Sequence, residues 1–117
     1  MRPVPITITL RFRAVDRRNF YDIKLGIKTI ETRAASERYK HIKKGDVVVI
    51  VCGSAKLRKR VTRVRHFTSI GSMLKAIPLK RIMPSVVSIA AARKIYYGYP
   101  GYKEKIRANG LVALELG

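Results

Sequence analysis

The segment VVVIVC, Val47–Cys52, constrains the fold more than any other part of the sequence. Five of its six residues are β-branched, and such side chains lose rotamer freedom in a helix but fit the pleated surface of a sheet. Turn-forming pairs bound the segment, with Gly45-Asp46 before it and Gly53-Ser54 after it. The segment is therefore predicted to be a buried core strand.

Three further segments have strand patterns. Residues 6–12 alternate between apolar and polar side chains, which predicts a strand with one buried face. Residues 28–33 (KTIETR) are predicted to form a strand because of their β-branched side chains, and residues 111–116 (LVALEL) are predicted to form the final strand. The apolar face of the first strand consists of Ile6, Ile8, Leu10 and Phe12.

A short helix is predicted between the first two strands. Asp16 is a residue type that caps helix N-termini, and Gly26 suits the left-handed conformation in which many helices end. The apolar residues at helical spacing between them are Phe20, Ile23 and Ile27.

The second half of the chain is predicted to be largely helical. Ser69 begins a short helix, and Ser85 caps a longer one, SVVSIAAARKIYY, that ends at Gly98. Residues 102–110 (YKEKIRANG) form a further short helical piece before the final strand.

Residues 56–67 (KLRKRVTRVRHF) combine two periodicities. Leu57, Val61 and Val64 have helical spacing, whereas the Val and Thr content and the preceding turn favour a strand. We predict a bulged strand. Its basic residues are expected on two faces, with Arg58 and Arg60 on one and Lys59, Arg63 and Arg65 near the other.

The order strand, helix, three strands, helices, strand predicts a single α+β domain over residues 1–117. Its sheet is expected to be mixed, mainly antiparallel and curled into a small β-barrel flanked by short helices. A chain of this length buries about two-thirds of its unfolded surface in one core.

The net charge points to a polyanionic partner. The chain has 26 Lys and Arg against 7 Asp and Glu, a formal charge of +19, and no acidic residue lies between Asp46 and Glu104. A field of one sign attracts polyanions, and nucleic acid is the usual one for a small basic protein. A solvated strand whose cations protect a sheet edge is the alternative for residues 56–67. The basic residues predicted to contact RNA are Arg58, Arg60, Arg63, Arg65, Arg93 and Lys94.

Composition also argues against several classes of function. Cys52 is the only cysteine and the chain has two histidines, so neither a disulfide nor a metal centre is expected. We find no Gly-rich phosphate loop, Ser-His-Asp set or carboxylate cluster, and expect no cofactor. Without an apolar run of membrane-spanning length or a secretory signal, a cytoplasmic protein is expected.

The segment YYGYPGY places tyrosines among basic residues. Rings interleaved with cations can stack bases while the cations hold the backbone, and Tyr97 is the candidate for this role. The alternative is that most of these rings pack a helix onto the barrel. The tyrosines concerned are Tyr96, Tyr97, Tyr99 and Tyr102.

The segment GIKTIETR, residues 26–33, is the main candidate site. Glu31 and Arg33 are two apart, so they share a face of a strand and can pair, which would orient the guanidinium toward phosphate or a base edge. Lys28 supplies a positive charge nearby if the helix-to-strand turn places it on the same side as Glu31 and Arg33. The same pattern is equally compatible with an exposed ion pair and a solvated lysine.

The spacing G-x-K-x-x-E-x-R after a short helix resembles the signature of the ASCH domain family at Gly26, Lys28, Glu31 and Arg33. The segments IKKGDVVVIV, FTSIGSML and NGLVALEL are similar to the family's core strand, the segment after its basic strand and its closing strand. The resemblance implies a PUA-like β-barrel with a cleft lined by the motif. RNA, single-stranded or structured, or a modified nucleoside is the implied ligand.

Some proteins that this chain resembles are enzymes, which supplies the alternative function. ASCH amidohydrolases remove the acetyl group of N4-acetylcytidine, and this chain is similar to them at Lys28, the residue expected to be catalytic if the protein is an enzyme. They carry a threonine nucleophile where this chain has Glu31, and a glutamate in a later helix whose counterpart here, PSVVSIAAARK, contains no carboxylate. A ribonuclease using Lys28 with Tyr96 or Ser88 is the other enzymatic option.

Overall fold

The computed structural model describes residues 4–117, so the first three residues of the predicted domain lie outside it. Its strands are β1 (Thr7–Phe12), β2 (Ile30–Ala34), β3 (Val47–Cys52), β4 (Ala55–Phe67) and β5 (Leu111–Leu116). Its helices are α1 (Arg17–Lys24), α2 (Ile70–Ala76), α3 (Leu79–Ile82), α4 (Ile89–Gly98) and α5 (Tyr102–Asn109).

The five strands form one curled, half-barrel sheet in the order β1-β3-β4-β5-β2. β1 runs parallel to β3, and the other three pairs are antiparallel. The strand order places β1 and β2 at the two edges of the sheet. The predicted α+β class with a mixed, mainly antiparallel sheet is confirmed.

Each face of the sheet carries its own apolar core. Leu10, Ile50 and Leu114 belong to the cluster that packs against α1, which we call the inner core. Ile30 and Ala113 belong to the cluster that packs against α2, α3, α4 and α5, which we call the outer core. Successive side chains of β5 alternate between the two, so this strand is buried on both faces. Its apolar sequence LVALEL follows from that position.

The helix ends differ from the sequence-based expectations in three details. Asp16 precedes α1, but its carboxylate accepts a hydrogen bond from Arg13 Nε at 2.8 Å instead of capping the helix. Ile27 lies beyond the end of α1 and is 54% exposed, so it is not a core residue. Ser88, not Ser85, caps α4, because its hydroxyl accepts from the Ala91 amide.

The predicted bulge is present in β4, and it corrects the predicted placement of the basic residues. The register against β5 shifts between Val61 and Arg63, so one extra residue reverses the alternation of side chains. Val61 and Val64 consequently both contact the inner core. The basic residues before and after the bulge therefore share the opposite, outer face of the sheet. They form what we call the outer row: Lys56, Arg58, Arg60, Arg63 and Arg65.

A glycine fixes the turn from α5 into β5 and provides a test of the fold. Gly110 has φ 72° and ψ −160°, a conformation open almost only to glycine, and a Cβ there would lie 2.3 Å from the Phe67 carbonyl oxygen. Gly101 also has positive φ, at 71°, but the nearest atom to its Cβ would be Lys105 Cε at 3.8 Å.

We expect Gly110→Ala to lower the free energy of unfolding by about 3 kcal/mol or more, because backbone strain and a backbone clash combine. Gly101→Ala, the matched control, should cost only about 1–2 kcal/mol. Urea denaturation of both variants measures the difference. Equal losses would show that the backbone around Phe67 shifts to accommodate the added methyl group without a cost in free energy.

Candidate functional site

A cleft of about 220 Å³ lies at the open side of the half-barrel, between the edge strands β1 and β2. Residues of β1, β2 and the segment before β2 line it, together with residues around α3, α4 and α5. Four of the residues that line it are cationic and two are acidic, so the residues around the cleft have a net positive charge.

Lys28 is buried at the floor of this cleft and is only 4% exposed. Its Nζ donates to the carbonyls of Ile30, at 2.6 Å, and Ile82, and lies 3.4 Å from Glu31 Oε1. Three partners match the three donors of an ammonium group. Burial lowers the pKa of Lys28, and the attraction of Glu31 offsets this only in part. Lys28 precedes β2, so the turn after α1 does bring it to the side of Glu31.

Glu31 is also buried, at 7% exposure, and connects the other two motif residues. Its Oε1 faces Lys28 and accepts from the Thr32 amide at 3.2 Å, while its Oε2 accepts from Arg33 Nε and Nη2. The Thr32 amide and the Ile30 carbonyl lie on the free edge of β2, away from β5. Lys28 and Glu31 thus satisfy the backbone of an edge strand that has no neighbouring strand on that side.

Arg33 is the motif residue with the most freedom to meet a ligand. Its contacts to Glu31, to the Tyr39 hydroxyl and to the Arg11 carbonyl are all 3.2–3.4 Å long. Charge-assisted hydrogen bonds are normally about 2.7–2.9 Å, so a ligand oxygen at that distance would compete well. Burial acts to lower the pKa of Arg33, but Glu31 outweighs it and the pKa is raised. The guanidinium stays charged, stacked over the rings of Phe12 and Tyr39.

A group of tyrosines forms the opposite wall. Tyr96 is buried and its hydroxyl shares a 2.5 Å hydrogen bond with Thr32, while Tyr99 and Tyr102 pack edge to face at 5.4 Å. Burial raises the pKa of all three, that of Tyr99 to about 12, so they remain neutral hydrogen-bonding groups at neutral pH. Arg13 stacks over the ring of Tyr99 at the rim. The wall provides ring faces and hydroxyls in the same place.

The structure brings only part of the predicted set together. Lys28, Glu31 and Arg33 line the cleft, and the alternative of an exposed pair with a solvated lysine is wrong. Gly26 ends α1 with φ 76° and does not line it. Ser88 serves as a helix cap outside the cleft. The remaining predicted RNA contacts also lie outside it: Arg58, Arg60, Arg63, Arg65, Arg93, Lys94 and Tyr97.

Several cleft residues were not identified from the sequence. Phe12 was assigned to the core from its place in the alternation, yet as the last residue of an edge strand it reaches the cleft. Arg11 and Arg13 carried no local signal beyond their charge. Outside the cleft, Arg81 links α3 to β5 through Glu115 and to the residue before β2, Thr29, and only the three-dimensional fold shows this.

A family model and two solved structures relate the chain to known proteins. The model of the ASCH domain matches residues 14–117. The chain belongs to the ASCH domain family. It is similar to the crystal structure of the hypothetical protein PH0355, with 27% identity, a TM-score of 0.77 and 97% of each chain covered. It also resembles the solution NMR structure of protein PF0455 from Pyrococcus furiosus, with 31% identity, a TM-score of 0.70 and 97% and 96% coverage. No curated protein matches the chain.

Two classes of feature are missing from residues 4–117. No helix there is long and apolar enough to cross a membrane. No group of three or more His, Cys, Asp or Glu side chains is arranged to hold a metal ion.

The contacts of Lys28 predict a structural role that mutation can measure. We expect Lys28→Met to lower the free energy of unfolding by about 2–4 kcal/mol, because two buried carbonyls and part of a buried carboxylate lose their partner. Lys24→Met, at an exposed position of α1, is the control and should change stability little. If thermal melts showed equal effects for Lys28→Met and Lys24→Met, the conclusion that the Lys28 ammonium is buried and hydrogen-bonded would be wrong.

The depressed pKa of Lys28 also predicts a pH dependence. Between the folded pKa and about 10.4, the value for a free lysine, the unfolded chain binds more protons than the folded one. The stability that this group contributes therefore increases as the pH rises toward 10.4. The difference in unfolding free energy between wild type and Lys28→Met should therefore widen as the pH rises toward about 10. A constant difference would mean that the pKa of Lys28 is the same in both states.

Proposed function

We propose that this ASCH domain binds RNA and holds one nucleotide, unpaired or modified, in the cleft lined by Lys28, Glu31 and Arg33. The observation that carries the proposal is the guanidinium of Arg33, charged, loosely bonded and aimed into a positively charged cleft. RNA binding is also what membership of this PUA-like family implies. A cytoplasmic location stays a prediction.

The size and lining of the cleft suit one base. A cavity volume of about 220 Å³ accommodates one ring system. Tyr99 and Tyr102 supply surfaces for stacking, as single-stranded RNA readers do with their aromatic residues. In this arrangement Arg33 holds phosphate or a base edge, and Glu31 orients Arg33.

A catalytic use of the same cleft is the second candidate, and the lowered pKa of Lys28 favours it. The contacts around Lys28 favour binding instead, because all three ammonium donors already have partners. The nearby hydroxyls are engaged as well, Thr29 with Arg81 and Thr32 with Tyr96. Incubation with N4-acetylcytidine and with short RNAs, followed by product analysis, separates the two functions. Turnover that Lys28→Met abolishes would establish the enzyme.

The binding proposal predicts opposite effects for two glutamates. Glu31→Gln should weaken binding of a labelled single-stranded RNA several-fold, because Arg33 loses the carboxylate that orients it. Glu104→Gln, on the exposed surface of α5, makes the same change in net charge and should leave affinity unchanged or slightly tighter. Fluorescence anisotropy measures both.

Glu31 is buried, so its replacement also lowers stability, and the titrations must be made well below the melting temperature of each variant. Arg33→Lys provides a second measurement at constant charge, since lysine lacks the planar fork. If Glu31→Gln binds RNA more tightly, as Glu104→Gln does, and Arg33→Lys binds as wild type does, charge alone explains the affinity and the cleft is not the site.

A further inference from the structure

The outer row of basic residues, Lys56 to Arg65, is a surface separate from the cleft. Side chains of β3 that pair with it lie on the outer face, whereas Val48 and Ile50 point into the inner core. None of the five outer-row residues lines the cleft. Any partner of this row therefore meets a different side of the sheet.

The cations of the outer row have few intramolecular partners. Among residues 4–117, none of the five forms an ion pair with a carboxylate. Glu115, the cross-strand neighbour of Arg63, is bound to Arg81 at 2.9 Å instead. Four of the five side chains are exposed, and only Arg65 is half-buried, over the ring of Phe67. The row is a line of charge that is not neutralised locally.

The bulge brings the two halves of this row to the same face of β4. Residues two apart in a strand are about 6.6 Å apart, and the extra residue at the bulge restores the alternation for Arg63 and Arg65. The ten residues from Lys56 to Arg65 extend over at most about 30 Å along β4. A series of cations along one face of a strand fits a series of phosphates along a nucleic-acid backbone.

The neighbouring side chains show which nucleic acid fits. Single-strand binders combine cations with aromatic rings on which the bases stack. On the outer face of β1 and β3, beside the row, the side chains are Thr7, Thr9, Arg11, Val47, Val49 and Val51, with no aromatic ring among them. Phe67, the ring at the end of the row, packs against the outer core and lies under Arg65. Cations without an open ring face suit a double helix, whose bases are stacked inside and whose backbone is outside.

We propose that the outer row binds the sugar–phosphate backbone of double-stranded RNA, independently of the cleft. The proposal rests on the proposed function only in taking RNA as the nucleic acid. Its contacts are with phosphates and carry no base sequence information.

The test uses an RNA duplex of about 16 base pairs, a length that small double-strand-binding domains cover, and one of its strands alone. The variant Arg58→Gln/Arg60→Gln/Arg63→Gln removes three charges of the row. The control Lys24→Gln/Lys75→Gln/Lys80→Gln removes three exposed charges from α1, α2 and α3. Thermal melts confirm that both variants are folded.

We expect the row variant to lose at least about tenfold in duplex affinity and the control to lose much less. The slope of log K against log salt should fall in magnitude by about 2.7, if each arginine contacts one phosphate. Arg33→Lys should weaken single-strand binding and leave duplex binding unchanged, which separates this proposal from that for the cleft. Equal losses in the row variant and the control would overturn it. The proposal would also be overturned if the wild-type protein bound no duplex. An acidic protein would then be the partner that fits this face.

Discussion

The buried ammonium of Lys28 is the interaction on which the rest of the cleft depends. It joins the free edge of β2, through the Ile30 carbonyl, to the end of α3, through the Ile82 carbonyl, and it fixes the carboxylate of Glu31. A charge at this depth is costly unless every donor is satisfied, and the lowered pKa shows the remaining cost. Glu31 is held in place by this ammonium, and it in turn holds Arg33. The position of Arg33 in the open cleft therefore depends on Glu31, and the position of Glu31 depends on Lys28 at the floor.

The residues of this short motif therefore have different roles in the structure. Lys28 and Glu31 complete the hydrogen bonding of an edge strand, so their contacts serve the fold. Arg33 bonds across the open side of the half-barrel to the Arg11 carbonyl of β1, at a length that leaves it easily displaced. A ligand that draws Arg33 toward itself competes only with contacts of 3.2–3.4 Å.

Sequence reasoning succeeded where the signal is local and failed where it depends on tertiary structure. The strand of Val47–Cys52 and the bulge in β4 follow from β-branched content and from two competing periodicities, and both were predicted correctly. The number of residues in the bulge, which sets the face of Arg63, cannot be obtained from periodicity, and the predicted division into two faces was wrong. The motif residues of the cleft were identified by resemblance to the family. The wall of tyrosines faces them only because of the packing of α4 and α5.

The distance between the cleft and the outer row limits how one RNA could use both. Arg11 lies at the point where they meet, since its carbonyl contacts Arg33 while its side chain lies on the outer face of β1. From β1 the row on β4 is two strand spacings away, or about 10 Å, across the valines of β3. A separation of only two strand spacings leaves a duplex on the outer face within reach of the cleft entrance. A nucleotide that enters the cleft therefore has to leave the helix near the edge of β1, at a duplex end, a bulge or a loop.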